Sequence, residues 1–318
     1  MNGESVGGHG AARRRARTAN PRALLALLAL PLLLTASCSP DQQTQDAPAR
    51  DITPEEEELL ETAGQILLRE CMESHGFEYQ IVSDKSAAEF EEFRYVIDDP
   101  SWAAEHGYGS RLQREAVELR ENDPNQVYFA ALSPERRAQA LVAANGPSPV
   151  GLTATTPDGM ELGRSDQGCQ SQVDRELYGD LASWFQARTT VDALPPLRYQ
   201  LVVDDQRYLE AARPWADCMR AAGHDYATPA DIRAALPPPQ DPLPRQEEVG
   251  LALAEARCAL DSGLAQAAAD LDEQHGRELS ERHRSALETQ RRLQLDALPR
   301  ARSIVAGTER TTDPEHRE

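Results

Sequence analysis

The sequence predicts a mainly α-helical protein: two disulfide-stapled helical units, a short β-hairpin inserted in the first, and a long C-terminal helix. Three observations predict this. Aromatic residues make up only 5% of the chain, so the core must be built from Ala, Leu and Val, which suits closely packed helices better than a β-sandwich. Apolar residues recur at helical spacing behind capping residues in most segments. Finally, one short cysteine-centred segment occurs twice, as ECMESHGFEY at 70–79 and DCMRAAGHDY at 217–226.

Taken in order, the first 22 residues carry five arginines (Arg13, Arg14, Arg15, Arg17 and Arg22) against one acid, Glu4. An apolar run, Ala23 to Leu34, follows and ends in Thr35-Ala36-Ser37-Cys38. This order describes a secretory signal peptide over residues 1–37. The run is shorter than the ~20 residues a helix needs to cross ~30 Å of hydrocarbon. The segment Leu33-Leu34-Thr35-Ala36-Ser37-Cys38 resembles a bacterial lipobox, with Thr35 where the pattern prefers Leu. The resemblance implies that Cys38 carries acyl chains such as palmitate and becomes the mature N-terminus. Two chains suffice for stable anchoring. The expected location is therefore extracytoplasmic, on the outer face of the cell membrane. Residues 38–52 are polar, with two prolines, and read as a flexible tether.

The whole chain has a net charge of −20. Removing residues 1–37 takes away five arginines and one glutamate, leaving 28 basic against 52 acidic residues, a charge of −24. Such a chain is repelled by nucleic-acid phosphate, so nucleic acid is excluded as a partner. The expected partners are the membrane, through the N-terminal lipid, and another envelope protein. Besides Cys38, the mature chain holds Cys71, Cys169, Cys218 and Cys258. An even number in an exported protein predicts two disulfides, with three connectivities open.

Thr53-Pro54-Glu55-Glu56 opens the first helix with a capping box and an early proline. Leu59, Ala63, Ile66 and Leu67 form its apolar face, and Gly76 stops it, giving a helix over roughly 54–75. Phe77 to Val82 suits an extended chain, while Ala87–Ile97 and Arg111–Glu121 suit helices. Ser133-Pro134-Glu135 starts another helix that Asn145-Gly146 closes. Thr156-Pro157-Asp158-Gly159 between short alternating runs signals a β-hairpin. Cys169, Val173 and Leu177 share a helical face that Gly179 ends, and Leu181 to Ala187 continues. This first unit spans 53–196, and Leu194-Pro195-Pro196 closes it.

The second unit, 197–263, starts with a helix behind Asp204-Asp205 that carries Trp215, Cys218 and Met219 and is kinked or divided at Pro214. A proline-rich excursion fills 227–246. A helix from Glu247 bears Leu251 and Cys258. A long helix is expected over 264–306 and a disordered tail over 307–318. In the repeat, each Cys-Met pair has a glycine five residues after the cysteine and a tyrosine eight after it. Each is followed by a second cysteine on a later helix. The economical pairing is one staple per unit, Cys71–Cys169 and Cys218–Cys258.

These Cys-Met-x3-Gly repeats, with the stretches Tyr128–Gly146, Gly168–Asp180, Trp215–Tyr226 and Glu247–Leu264, resemble a group of uncharacterised secreted lipoproteins of high-GC Gram-positive bacteria. The matching stretches cover at most about half of the mature chain. The resemblance implies an exported, anchored, helical architecture and brings no activity with it.

The chemistry-bearing residues give bland readings. His75 precedes the shared glycine and His224 follows it, so they are not an equivalent pair; each suits a helix end. Asp272-x-x-His275 and Glu281-x-His283 have metal-ligand spacing, but a di-metal bundle needs two acid-x-x-His pairs and further carboxylates. Solvated charge is the better reading, and no metal or cofactor is expected. Glu55 to Glu58 complements a helix dipole, and neither Asp98-Asp99 nor Asp204-Asp205 is framed as a calcium loop. No nucleophile elbow, zinc-protease motif or phosphate loop occurs. The three tryptophans, Trp102, Trp184 and Trp215, could line a sugar or peptide groove, but Trp215, three residues before Cys218, is better placed in the core. Trp184-Phe185 is the expected binding surface, with Leu287 and Leu293 on the C-terminal helix as a second one. The expected function is a non-catalytic binding or interaction module of the cell envelope. The alternative is an envelope hydrolase using paired carboxylates such as Glu70 and Asp217.

Overall fold

The computed structural model describes residues 50–82 and 93–312. The signal peptide, Cys38 and the tether as far as Ala49 lie outside the described residues. So do 83–92, which hold most of the helix expected over Ala87–Ile97, and 313–318.

Helix α1, Pro54–Ser74, opens with the expected capping box: Thr53 accepts from the Glu56 N–H and the Glu56 carboxylate accepts from the Thr53 N–H. Residues 77–82 pair with no strand, and 93–99 are irregular. The short helix α2, Pro100–His106, follows, then α3 (Ser110–Glu121), α4 (Pro124–Ala131) and α5 (Pro134–Asn145). Strands β1 (Gly151–Thr155) and β2 (Glu161–Ser165) form the expected antiparallel hairpin, Gly151 facing Ser165 and Thr155 facing Glu161. Helices α6 (Cys169–Tyr178) and α7 (Leu181–Asp192) come next.

Several expectations about the second half are corrected. At Leu194-Pro195-Pro196 one helix gives way directly to the next: α7 ends at Asp192 and the prolines occupy the first turn of α8, Leu194–Val203, where no intrahelical N–H is needed. Helix α9, Gln206–Ala221, runs on through Pro214. The proline-rich excursion contains α10, Pro229–Ala235, started by a Thr228–Asp231 capping box. Helix α11 covers Arg245–Ser262. The long C-terminal segment is two helices, α12 (Leu264–Arg282) and α13 (Arg284–Thr312), parted at His283. Because α13 runs to Thr312, residues 307–312 are helical rather than part of a tail.

Both staples are formed as expected, Cys71–Cys169 and Cys218–Cys258, each with Cα atoms 5.6 Å apart. The two repeat segments end their helices identically. Gly76 (φ +76°) and Gly223 (φ +92°) take the left-handed conformation. The next N–H, of Phe77 or His224, bonds back to the Met72 or Met219 carbonyl at 3.0 and 2.9 Å. This is the glycine-closed helix end that satisfies otherwise unpaired carbonyls.

The packing crosses the expected unit boundaries twice. Helix α13 does not project. It lies along α1 and against α6 and α7, burying Leu298, Ala297 and Ala301 with Leu60, Ala63, Leu67 and Leu177. Arg300 Nε adds a 2.8 Å bond to the Leu177 carbonyl. The second crossing is the segment 93–110, which leaves the first unit and packs on α11. There Ile97 and Ala103 meet Ala252 and Ala256. Beside them lies the largest core, where Trp215, Met219, Ile232, Leu251, Leu264 and Leu271 come together. No helix among the described residues is long and apolar enough to cross a membrane. The two disulfides fit an oxidising, extracytoplasmic setting.

Candidate functional site

The site is organised by two acids on the buried face of α11. Glu248 and Glu255, seven residues apart, lie on the same stripe as Leu251, Ala252, Ala256 and Ala259, all buried. Glu255 is 0% exposed. A carboxylate in such a place must be surrounded by donors. It accepts from the Ile97 N–H at 3.0 Å, from Arg233 Nη1 at 3.2 Å and from the Tyr108 hydroxyl. Glu248 accepts from the Tyr108 and Ser110 N–H groups at 3.0 and 3.1 Å and from the Ser110 hydroxyl at 2.6 Å. Together the two acids clamp the segment 93–110 onto α11. The approach is so close that a Cβ on Gly107 (φ +63°) would sit 2.8 Å from Glu248 Cγ. Burial, with the neighbouring Glu255 carboxylate, pushes the Tyr108 hydroxyl far above its ordinary range, so it remains a donor.

Arg233 completes the clamp. Its guanidinium bonds the Pro229 carbonyl at 2.9 Å and the Phe93 carbonyl at 3.2 Å besides Glu255. This joins α10, the 93–99 segment and α11 at one point.

On the outer side of this clamp lies a cleft of about 890 Å³, within the range of small-molecule sites. Its walls are the rings of Phe93, Trp102, Tyr108 and Tyr199, the prolines Pro195–Pro196 and Pro237–Pro239, and the charged groups Arg94 and Arg233. Each wall has a local cause. The Asp99 carboxylate caps α2 by accepting from the Ser101 and Trp102 N–H groups, at 2.7 and 3.2 Å, and so sets the start of the helix that carries Trp102. The Trp102 ring meets Phe93 with centroids 5.6 Å apart and His106 at 4.1 Å. Tyr199 stacks on Tyr95 at 5.6 Å. The Tyr95 hydroxyl donates to Asp272, which also lies 3.0 Å from Arg198. The α8 wall is thereby tied to α12.

That tie corrects the reading of Asp272 and His275 as solvated charge. His275 is half-buried between Asp205 and Glu278, 3.4 Å from each. Hydrogen bonds from Arg207 hold the Asp205 carboxyl well below the usual carboxylate range. Asp272 pairs with Arg198 across α8 and α12, and His275 sits between Asp205 and Glu278, so these groups tie helices together rather than converge as a metal-ligand set.

The expected binding surfaces fare differently from the cleft. Trp184 is 3% exposed and stacks on Tyr178 at 3.6 Å. Phe185 is half-buried beneath the Arg164 guanidinium, 5.1 Å from its ring centre. Neither forms an open surface, because α6 and the hairpin cover them. Leu293 is 8% exposed and Leu287 half-buried, so the second surface is spent where α13 docks. Trp215 is in the core as expected, and of the three tryptophans offered as groove-lining residues Trp102 is the one that lines the cleft. Cys71, His75 and Cys169 bring ligand atoms within 4.8 Å of one another. With the two sulfurs joined, they offer no thiolate to a metal. Glu70 and Asp217 are exposed on α1 and α9 and neither lines the cleft.

The cleft residues were missed because their partners are remote in sequence. Tyr108 and Glu255 are 147 positions apart. One local signal did exist. Positions 248, 251, 252, 255, 256 and 259 make one helical stripe, and two of the six are glutamates. Acids inside an apolar stripe announce buried donors from elsewhere. Compared with known proteins, the chain matches no protein-family model, no curated protein and no solved structure.

Proposed function

We propose that this chain is an exported lipoprotein, held on the outer face of the membrane through Cys38, that serves the cell envelope as a non-catalytic binding module. Its ligand would sit in the cleft between the proline segments. One observation carries the reading. Among the described residues, the cleft wall holds rings, prolines, two glutamines and two arginines, but no carboxylate, histidine, serine, threonine or cysteine. Such a wall can hold a molecule but offers no general base or activated nucleophile. Glu255, which bonds the lining residues Ile97, Tyr108 and Arg233, is saturated by those three donors. The hydrolase alternative needs two carboxylates facing each other, and Glu70 and Asp217 share no pocket.

The test is native mass spectrometry on protein recovered from its own membranes. The wild type is expected to fractionate with membranes and to carry a small non-covalent adduct. Cys38→Ala should leave the membrane fraction or persist as uncleaved precursor, and Pro196→Trp should lose the adduct. Membrane-bound Cys38→Ala at mature size would overturn the anchor. An eluted ligand that the wild type converts to a product of different mass would make the protein an enzyme.

A further inference from the structure

We infer that the cleft selects organic anions with a flat apolar body, a cyclic or aromatic carboxylate being the simplest case, and that Arg94 reads the negative charge. This rests on the binding role proposed above for the same cleft.

The first argument is charge. The chain carries 53 acidic against 33 basic residues, yet among the described residues the charged side chains on the cleft wall are both arginines. They are not equivalent. Arg233 is committed to Glu255 and to two carbonyls. Arg94 is half-buried on the same wall and enters no ion pair among the described residues. A guanidinium presents a planar fork of donors that matches a carboxylate edge to edge. The second argument is shape. Phe93, Trp102 and Tyr199 with the proline runs give flat, rigid faces, and polar side chains other than the arginines and tyrosines are limited to Gln113 and Gln200.

Other ligand classes fit worse. Aromatic walls attract quaternary ammonium groups, but two guanidinium groups on the wall repel them. A sugar needs many hydrogen-bonding groups, and two amides are few. A polyphosphate would be repelled by the acidic remainder of the protein, with one uncommitted cation on the wall among the described residues to hold it.

The inference is tested by calorimetric titration of the purified protein with three probes of one size: 2-naphthoate, 2-naphthalenemethanol and 2-naphthylmethylammonium. The carboxylate should bind once per chain and about tenfold or more tighter than the alcohol, as expected for one charge-assisted contact. The ammonium should bind weakest. Arg94→Gln should lower the carboxylate to the affinity of the alcohol and leave the alcohol unchanged. Arg94 enters no ion pair among the described residues, so the variant should melt like the wild type. If the alcohol matches the carboxylate, or the ammonium exceeds it, anion selectivity is overturned while the cleft stands as a binding site. If Arg94→Gln leaves the carboxylate unaffected, the role of Arg94 is overturned. If no probe binds the wild type, both this inference and the binding role fail.

Discussion

The two stapled regions share one local device and put it to different use. In each, a Cys-Met helix end closes on a left-handed glycine, and the methionine carbonyl takes the bond from the residue after it. In each, the cysteine is joined to a later helix with the same Cα separation. Beyond that they diverge. Around Cys71–Cys169 the core is apolar and is completed by α13. The buried acids of that region amount to Asp174, paired with Arg164 at 2.7 Å near the surface. Around Cys218–Cys258 the core receives the foreign segment 93–110 and accommodates Glu248 and Glu255 to hold it. The cleft belongs to this second region, where chain from the first crosses over. A repeated motif thus fixes how a helix ends and where it is stapled. It does not fix what is built beside it.

This contrast can be broken or sharpened in three ways, the largest effect first. Each staple restricts the unfolded chain by an amount that grows with the logarithm of the loop it closes, and the loops span 98 and 40 residues. Replacing Cys71 and Cys169 by alanine should cost about 4.7 kcal/mol, and replacing Cys218 and Cys258 about 3.9 kcal/mol. Guanidinium unfolding of the two double variants checks the order. A larger loss at Cys218–Cys258 would mean that native packing, not loop length, decides the ranking.

The second test sets Glu255 against Asp174. Glu255→Ala leaves Arg233, Tyr108 and the Ile97 N–H without their shared acceptor and should cost about 3 kcal/mol or more. Asp174→Ala breaks a pair whose arginine side chain is 22% exposed and can reach water, and should cost less, about 1–2 kcal/mol. Urea midpoints report both. Equal losses would remove the distinction drawn between the two cores.

The smallest effect concerns the shared cap. Gly76→Ala and Gly223→Ala each force an L-residue into the left-handed region, at about 1 kcal/mol each. Thermal melts should show matching shifts, since a Cβ at Gly223 meets nothing within 4 Å and one at Gly76 meets only an arginine side-chain end at 3.9 Å. Unequal shifts would show that the two caps are alike in geometry but not in energy.

Local chemistry made a good part of this molecule legible from sequence. Capping residues gave the starts of α1 and α5, the turn Thr156-Pro157-Asp158-Gly159 gave the hairpin, and the cysteine repeat gave the pairing of both staples. These features depend on neighbours within a few residues, or on a pattern visible twice. Where a local rule had two solutions, packing chose between them. Pro214 could kink or divide its helix, and α9 runs through it undivided; Pro195-Pro196 start α8 directly after α7 ends. The apolar face of the C-terminal helix could meet a partner or the protein's own helices, and the intramolecular surface won because it is permanently at hand: Leu298, Ala297 and Ala301 pack against α1 and Leu293 is buried. The cleft lay furthest from view. Its walls come from residues 93–113, 195–200 and 233–239, none of which has apolar periodicity or a motif. The sequence by itself determined where helices are capped, which cysteines pair and how acidic the chain is, because each follows from short-range bonding or a sum over residues. Only the tertiary structure decided that Glu255 meets Tyr108 and Arg233 and that Arg94 stands beside aromatic rings. Burying a carboxylate demands donors from wherever the chain can supply them, and that choice belongs to the packed molecule as a whole.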